Sequence, residues 1–208
     1  MPTFRLTVLS LGLALVAACT TPEQNAAPKD LGAFDLRVNY VFADKAVKGP
    51  ISRPATPQEW VAALESALED RLGRYDGPQH YDIGVSLEGY MLAPPGVPVL
   101  YSPKSTAIVL VHVYDVQREK FLARSHQLQV FEDTTQESFV VGSGLARERE
   151  EQLSGLAENV AERIELWLAE EHAEKGWFKP RTVLGAGQDA SNPAESPATR
   201  QDVLDFPL

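Results

Sequence analysis

Ser105-Thr106-Ala107-Ile108-Val109-Leu110-Val111-His112-Val113-Tyr114-Asp115-Val116 is the stretch that decides the fold. Ala107, Val109, Val111 and Val113 share one face of an extended chain, and Ile108, Leu110 and Tyr114 share the other. Period-two alternation marks a strand. Apolar residues on both faces mark a central one, covered at least in part on both sides. The polar turn Gln117-Arg118-Glu119-Lys120 follows, and Phe121 to Phe131 returns as its hairpin partner.

Two more strands precede this hairpin. Phe34 to Phe42 alternates, which puts Phe34, Leu36, Val38, Tyr40 and Phe42 on one side and Asp35, Arg37 and Asn39 on the other. Tyr81 to about Leu92 alternates again, with Tyr81, Ile83, Val85 and Leu87 inward. Between them lies a helix with a clear start. Thr56 is a cap, Pro57 suits the first helical position and Glu59 completes a capping box. Trp60/Val61, Leu64, Leu68 and Leu72 form its apolar stripe, and Gly73 stands near its end. Glu65, Glu69, Asp70 and Arg71 fall on its wet face.

A second helix is expected from about Ser143 to Ala173. Its stripe is Leu153, Leu156/Ala157, Val160/Ala161, Ile164 and Trp167/Leu168. Its Glu and Arg residues, Glu162 and Glu165 among them, read as a solvated face with i,i+4 pairing. Gly176 stops it, and Trp177-Phe178 are expected to fold back onto the domain. The order β-α-β-β-β-α predicts a two-layer α/β (α+β) sandwich. Both helices would lie on one face of a four-stranded, mostly antiparallel sheet.

The N-terminus carries a different signal. Arg5 is followed by an apolar run, Leu6 to Val16, which is shorter than the about 20 residues a spanning helix needs. The run ends in Val16-Ala17-Ala18-Cys19, and Cys19 is the chain's one cysteine. This constellation resembles the lipobox of bacterial lipoproteins. The resemblance implies that 1–18 is a signal peptide, with Val16, Ala17 and Ala18 read by the signal peptidase. It also implies that Cys19 carries the lipid and that the mature protein faces the periplasm from a membrane. Thr20 stands where, in the family, an aspartate favours the inner membrane, so outer-membrane sorting is implied. Residues 19–30 read as a flexible tether, 31–178 as the domain and 179–208 as a disordered tail rich in Gly, Pro, Ala and Ser. The element order behind a lipobox also resembles LptE-like lipopolysaccharide-assembly lipoproteins, auxiliary lipoproteins of ABC-type lipid transporters and the N-terminal domain of TolB. No functional residue maps from those families onto this chain.

Composition narrows the function. The formal charge is −10, which disfavours nucleic acid and anionic headgroups as partners. Val140-Val141-Gly142-Ser143-Gly144 lacks the third glycine of a dinucleotide loop, because position 147 is arginine. No Gly-x-Ser-x-Gly elbow occurs. His112 and His126 sit across the hairpin. A three-residue loop puts them side by side, whereas a two-residue loop puts them on opposite faces. Even side by side they lack a third metal ligand. The expectation is a non-enzymatic envelope lipoprotein without metal or cofactor, an accessory or assembly factor of a membrane-associated complex. The alternative is a small-ligand or lipid-binding module. Contact with a protein partner is expected at Val97, Val99, Leu100 and Tyr101, held on the proline-rich connection 93–104. The last six residues, Val203 to Leu208, are apolar again and read as a frayed end or a short docking motif.

Overall fold

The computed structural model describes residues 27–94, 104–132 and 149–181. Cys19, Val16, Ala17, Ala18, the 97–101 contact and the C-terminal hexapeptide lie outside these residues. The elements are β1 (Phe34–Phe42), β2 (Val47–Lys48), α1 (Pro57–Leu72), β3 (Gln79–Met91), β4 (Thr106–Asp115), β5 (Lys120–Phe131) and α2 (Arg149–Lys175). The fold is α+β. The sheet runs β1-β3-β4-β5, with the two-residue β2 added to β3 as a fifth strand. β3–β4 and β4–β5 pair antiparallel, while β1–β3 and β2–β3 pair parallel. The parallel pair follows from α1, because a crossover helix returns the chain to its starting edge.

The core lies between one sheet face and the helices. Tyr81, Ile83, Val85 and Leu87 of β3 meet Trp60, Leu64 and Leu68 of α1 and Leu156, Val160 and Ile164 of α2, all fully buried. Phe178 folds back as expected. It is buried against Phe34 and Tyr81, with ring centroids 5.1 and 4.9 Å away. Gly176 adopts φ +66°, a conformation costly for a residue with a Cβ, so it can turn the chain out of α2.

The register slips once in β1–β3, once in β3–β4 between Leu87 and Gly89, and twice in β4–β5. The β1–β3 register slips between Leu36 and Val38. Phe34 and Leu36 therefore face the core, but Val38, Tyr40 and Phe42 do not. They align with Asp82, Gly84 and Ser86 on the opposite face. A bulge inserts one residue and flips everything after it. Asn39 and Val41 take the inward places, and the Asn39 amide donates to Glu69 of α1 at 3.1 Å. Arg37, at the slip, grips the nearly buried Asp82 through two hydrogen bonds of 2.8 and 2.6 Å.

β5 carries two slips. Asp115 pairs with Lys120 across the turn, but the register slips between Tyr114↔Phe121 and Val113↔Ala123 and again between Val113↔Ala123 and Val111↔His126. Arg124 and Ser125 together oppose one residue, and Ser125 has φ +52°.

The helix start is as expected. The Thr56 hydroxyl accepts from the Glu59 N–H at 3.2 Å, and the Glu59 carboxylate accepts from the Thr56 N–H at 2.7 Å. Thr56→Ala removes the first of these and is expected to cost about 1 kcal/mol in urea unfolding, with the m-value unchanged.

Candidate functional site

β1 and β3 run parallel, so the sheet has two unlike ends. At the first, the N-terminal segment enters. Leu31 is buried, the Tyr75 hydroxyl lies 3.0 Å from the Lys29 carbonyl oxygen, and Ala33 N–H donates to the Phe178 carbonyl at 2.9 Å. The C-terminal segment leaves from the same end. The Arg181 guanidinium donates to both Asp115 oxygens at 3.1 Å, to Tyr81 at 3.2 Å and to the Gln79 side chain. Lys179 and Arg181, grouped with the tail by composition, thus lie against the sheet. A fully buried Asp115 supplies the reason, since an unpaired carboxylate there would be strongly unfavourable.

At the second end, β3 passes into the connection that carries Val97, Val99, Leu100 and Tyr101. The base of this connection is clamped. Leu92 N–H donates to Ser52 Oγ at 2.8 Å and Ala93 N–H to Ser105 Oγ at 3.1 Å. Ser105 N–H in turn reaches the buried Glu132 carboxylate at 3.3 Å. β3 spans 13 residues. The two ends therefore stand roughly 43 Å apart at about 3.3 Å per residue.

A buried ion cluster sits near the first end. Glu165 of α2 is fully buried, and Arg71 Nε and Arg74 Nη2 approach its two oxygens at 2.9 and 2.5 Å. The Tyr75 hydroxyl lies 2.5 Å from Glu165 Oε1, and Arg71 also reaches Glu162 at 3.1 Å. Burial opposes ionisation of Glu165, but the Tyr75 hydroxyl and the two arginines outweigh it and hold the carboxyl below its usual range. Burial and the same carboxylate push the Tyr75 phenol up. The sequence placed Arg71 and Glu165 on wet faces. They are buried because the wet edges of α1 and α2 face each other. Residues 94 apart in sequence give no signal of this.

The helices also form a solvent-open groove of about 630 Å³. Its floor includes Ala63 and Ala67 of α1 and Leu153 and Ala161 of α2, and Asp70 and Glu158 stand among its lining. At one end Arg149 Nη2 bridges Glu59 and Glu150 at 2.6 and 2.7 Å. The arginine, with the Thr56 cap, lowers the Glu59 pKa to about 2.

The histidine pair does not form a site. His112 alternates with the inward Val111 and Val113 of β4 and so lies on the sheet face away from the helices, where the Ser125 N–H donates to its Nδ1 at 3.2 Å. His126 faces α2 and stacks on Trp167, with centroids 4.1 Å apart. Burial lowers the pKa of both. Among the described residues no group of three or more His, Cys, Asp or Glu could hold a metal, and no helix is long and apolar enough to cross a membrane.

No family model and no curated protein matches the chain. Among solved structures it is similar to the "putative lipoprotein" from Caulobacter crescentus, at 17% identity over 73% of this chain and 96% of that one, with TM-score 0.38. It is also similar to the PelC dodecamer from Paraburkholderia phytofirmans (10%, 64% and 89%, TM-score 0.31). A third is a minor lipoprotein from Acinetobacter baumannii (10%, 65% and 94%, TM-score 0.26). Likenesses this distant do not transfer a function.

Glu165→Gln removes the charge that pairs the arginines, and a broken buried pair costs about 3–5 kcal/mol. The native carboxyl is held low, so its contribution is fully present above the unfolded pKa of about 4.3 and is lost as pH falls through the lower folded value. The gap between wild type and Glu165→Gln is therefore expected to be wide at pH 7 and to close below about pH 4, measured as unfolding free energy in urea.

Proposed function

We propose that this chain is a non-enzymatic, lipid-anchored envelope lipoprotein that serves as an accessory or assembly factor of a membrane-associated complex. The carrying observation is Val16-Ala17-Ala18-Cys19 after an apolar run too short to span. The acyl chains on Cys19 supply the attachment. Each buried CH₂ contributes about 0.8 kcal/mol, and two chains hold stably without a basic patch. A net charge of −10 leaves little electrostatic attraction to anionic lipid.

The geometry supports a division of labour. The tether 19–30 reaches the first end of the sheet, where Leu31 and Ala33 dock. From Thr20 to Asp30 it extends at most about 40 Å. The connection bearing Val97, Val99, Leu100 and Tyr101 leaves from the opposite end, on its hydrogen-bonded base. In this reading the domain is held by the end nearest the lipid and offers its partner contact at the far end. Outer-membrane sorting goes with Thr20.

Two measurements test this. Cys19→Ser is expected to abolish acylation and move the protein out of the membrane fraction. A Cys19→Ser protein that is processed and still sediments with membranes sinks the lipid reading. For the contact, Leu100→Asp with Tyr101→Asp is expected to reduce co-purification of the partner at least tenfold while leaving the melting temperature within about 2 °C. An unchanged set of co-purifying proteins sinks the assignment of 97–101.

A further inference from the structure

The chain enters and leaves the domain at one crossing. At the entrance, Gly32 N–H donates to Asp30 Oδ1 at 2.9 Å, Leu31 is buried and Ala33 N–H donates to the Phe178 carbonyl at 2.9 Å. At the exit, Gly176 turns the chain out of α2, and residues 177–181 run back against that entrance. Phe178 is fully buried against Phe34 and Tyr81. The Gln79 side-chain amide donates to the Lys179 carbonyl at 3.0 Å. Arg181 then pins the end of the run to the buried Asp115 at 3.1 Å. Gly32 and Gly176, one on each side of the crossing, are the glycines with positive φ among the described residues, at +55° and +66°. Gly32 meets a second constraint. A Cβ there would lie 2.6 Å from the Phe178 carbonyl oxygen and 2.8 Å from the His172 ring. The 177–181 run therefore fits only over bare backbone at that position.

We infer that residues 177–181 are a strap closed over the root of the tether, so that the two chain ends open and close as one unit. Closed, as here, the strap makes Leu31 to Ala33 part of the domain, and the free tether ends at Asp30. Open, those three residues join the tether and add roughly 10 Å to its reach. The ends open together because each supplies the other's partner. Ala33 loses its acceptor when Phe178 leaves, and Phe178 loses the Ala33 N–H when the entrance lifts. End segments are where a fold opens at least cost, and contiguous contacts open cooperatively. Coupling between two segments is reciprocal, so loosening either one loosens the other. The coupling stands on these contacts alone, and only the gain in reach rests on the lipid reading.

Two variants of the full chain open the strap from opposite ends. Arg181→Ala removes the outer pin, while Asp115 keeps the Arg118 N–H at 3.0 Å as a partner. Its expected effect is on the other segment: the Ala33 amide hydrogen exchanges with deuterium at least about tenfold faster. Gly32→Ala acts from the entrance, through its Cβ against Phe178 and His172. Its expected effect is on the exit: trypsin cuts after Arg181 at least about tenfold faster. Arg149→Ala, which breaks the Glu59 pair at the second end of the sheet, is expected to move neither rate. Both rates are measured in mild detergent and again with Cys19→Ser, and the coupling is expected in both. A protein that carries no lipid therefore sinks the gain in reach and not the coupling. Ala33 exchange at the wild-type rate in Arg181→Ala overturns the inference, and so does wild-type cleavage after Arg181 in Gly32→Ala. Equal loosening of the β4 and β5 amides, or an equal response to Arg149→Ala, overturns it as well, because the two ends then form no unit of their own.

Discussion

Glu165 is the fully buried charge between segments that otherwise meet through apolar packing and the Arg71–Glu162 and Arg149–Glu59 pairs. Its carboxylate takes Arg71 from α1, Arg74 and Tyr75 from the turn after α1, and, through the Tyr75 hydroxyl, the neighbourhood of Lys29 where the chain enters. Hydrophobic burial is non-directional and tolerates small sliding of one helix past another. A fully buried charge with fixed partners does not, because misplacing it by an ångström leaves it desolvated and unpaired. The crossing of α1 over α2 is therefore fixed by a polar contact in a mostly apolar interface.

That constraint reaches the ends of the sheet. Tyr75 packs edge-on to Phe34 at 5.8 Å, and Phe34 stacks on Tyr81 at 5.4 Å. Tyr81 then meets Phe178 and Arg181. The entering and the leaving chain are thus tied to one aromatic and ionic knot. The opposite end is built differently, from hydrogen bonds between loop bases at Ser52, Ser105 and Glu132.

Much of this was legible in the sequence. Period-two runs located β1, β3, β4 and β5, and Thr56-Pro57-Gln58-Glu59 located the start of α1 to the residue. The parallel β1–β3 pairing was less visible, since alternation does not encode direction. The two-residue β2 was too short to show any period. Bulges were invisible for a physical reason: one inserted residue leaves apolar residues at plausible intervals on both sides of it. In β1 the run Val38-x-Tyr40-x-Phe42 is as apolar as the inward set that replaces it. The buried ion cluster was hidden because a helix pattern reports the width of the apolar stripe and not what faces its margin. Arg71 sits on that margin.

The same bulges decide what the surface can do. His126 pairs with Val111 on the helix-facing side and stacks on Trp167, while His112, on the other face of β4, accepts from the Ser125 N–H. The pair is not available for chemistry. In β1 the slip places Arg37 against Asp82 and turns Asn39 inward, where Glu69 of α1 supplies its partner. An unpaired buried polar group would cost on the order of 1–3 kcal/mol, whereas a bulge forfeits little more than one ladder bond.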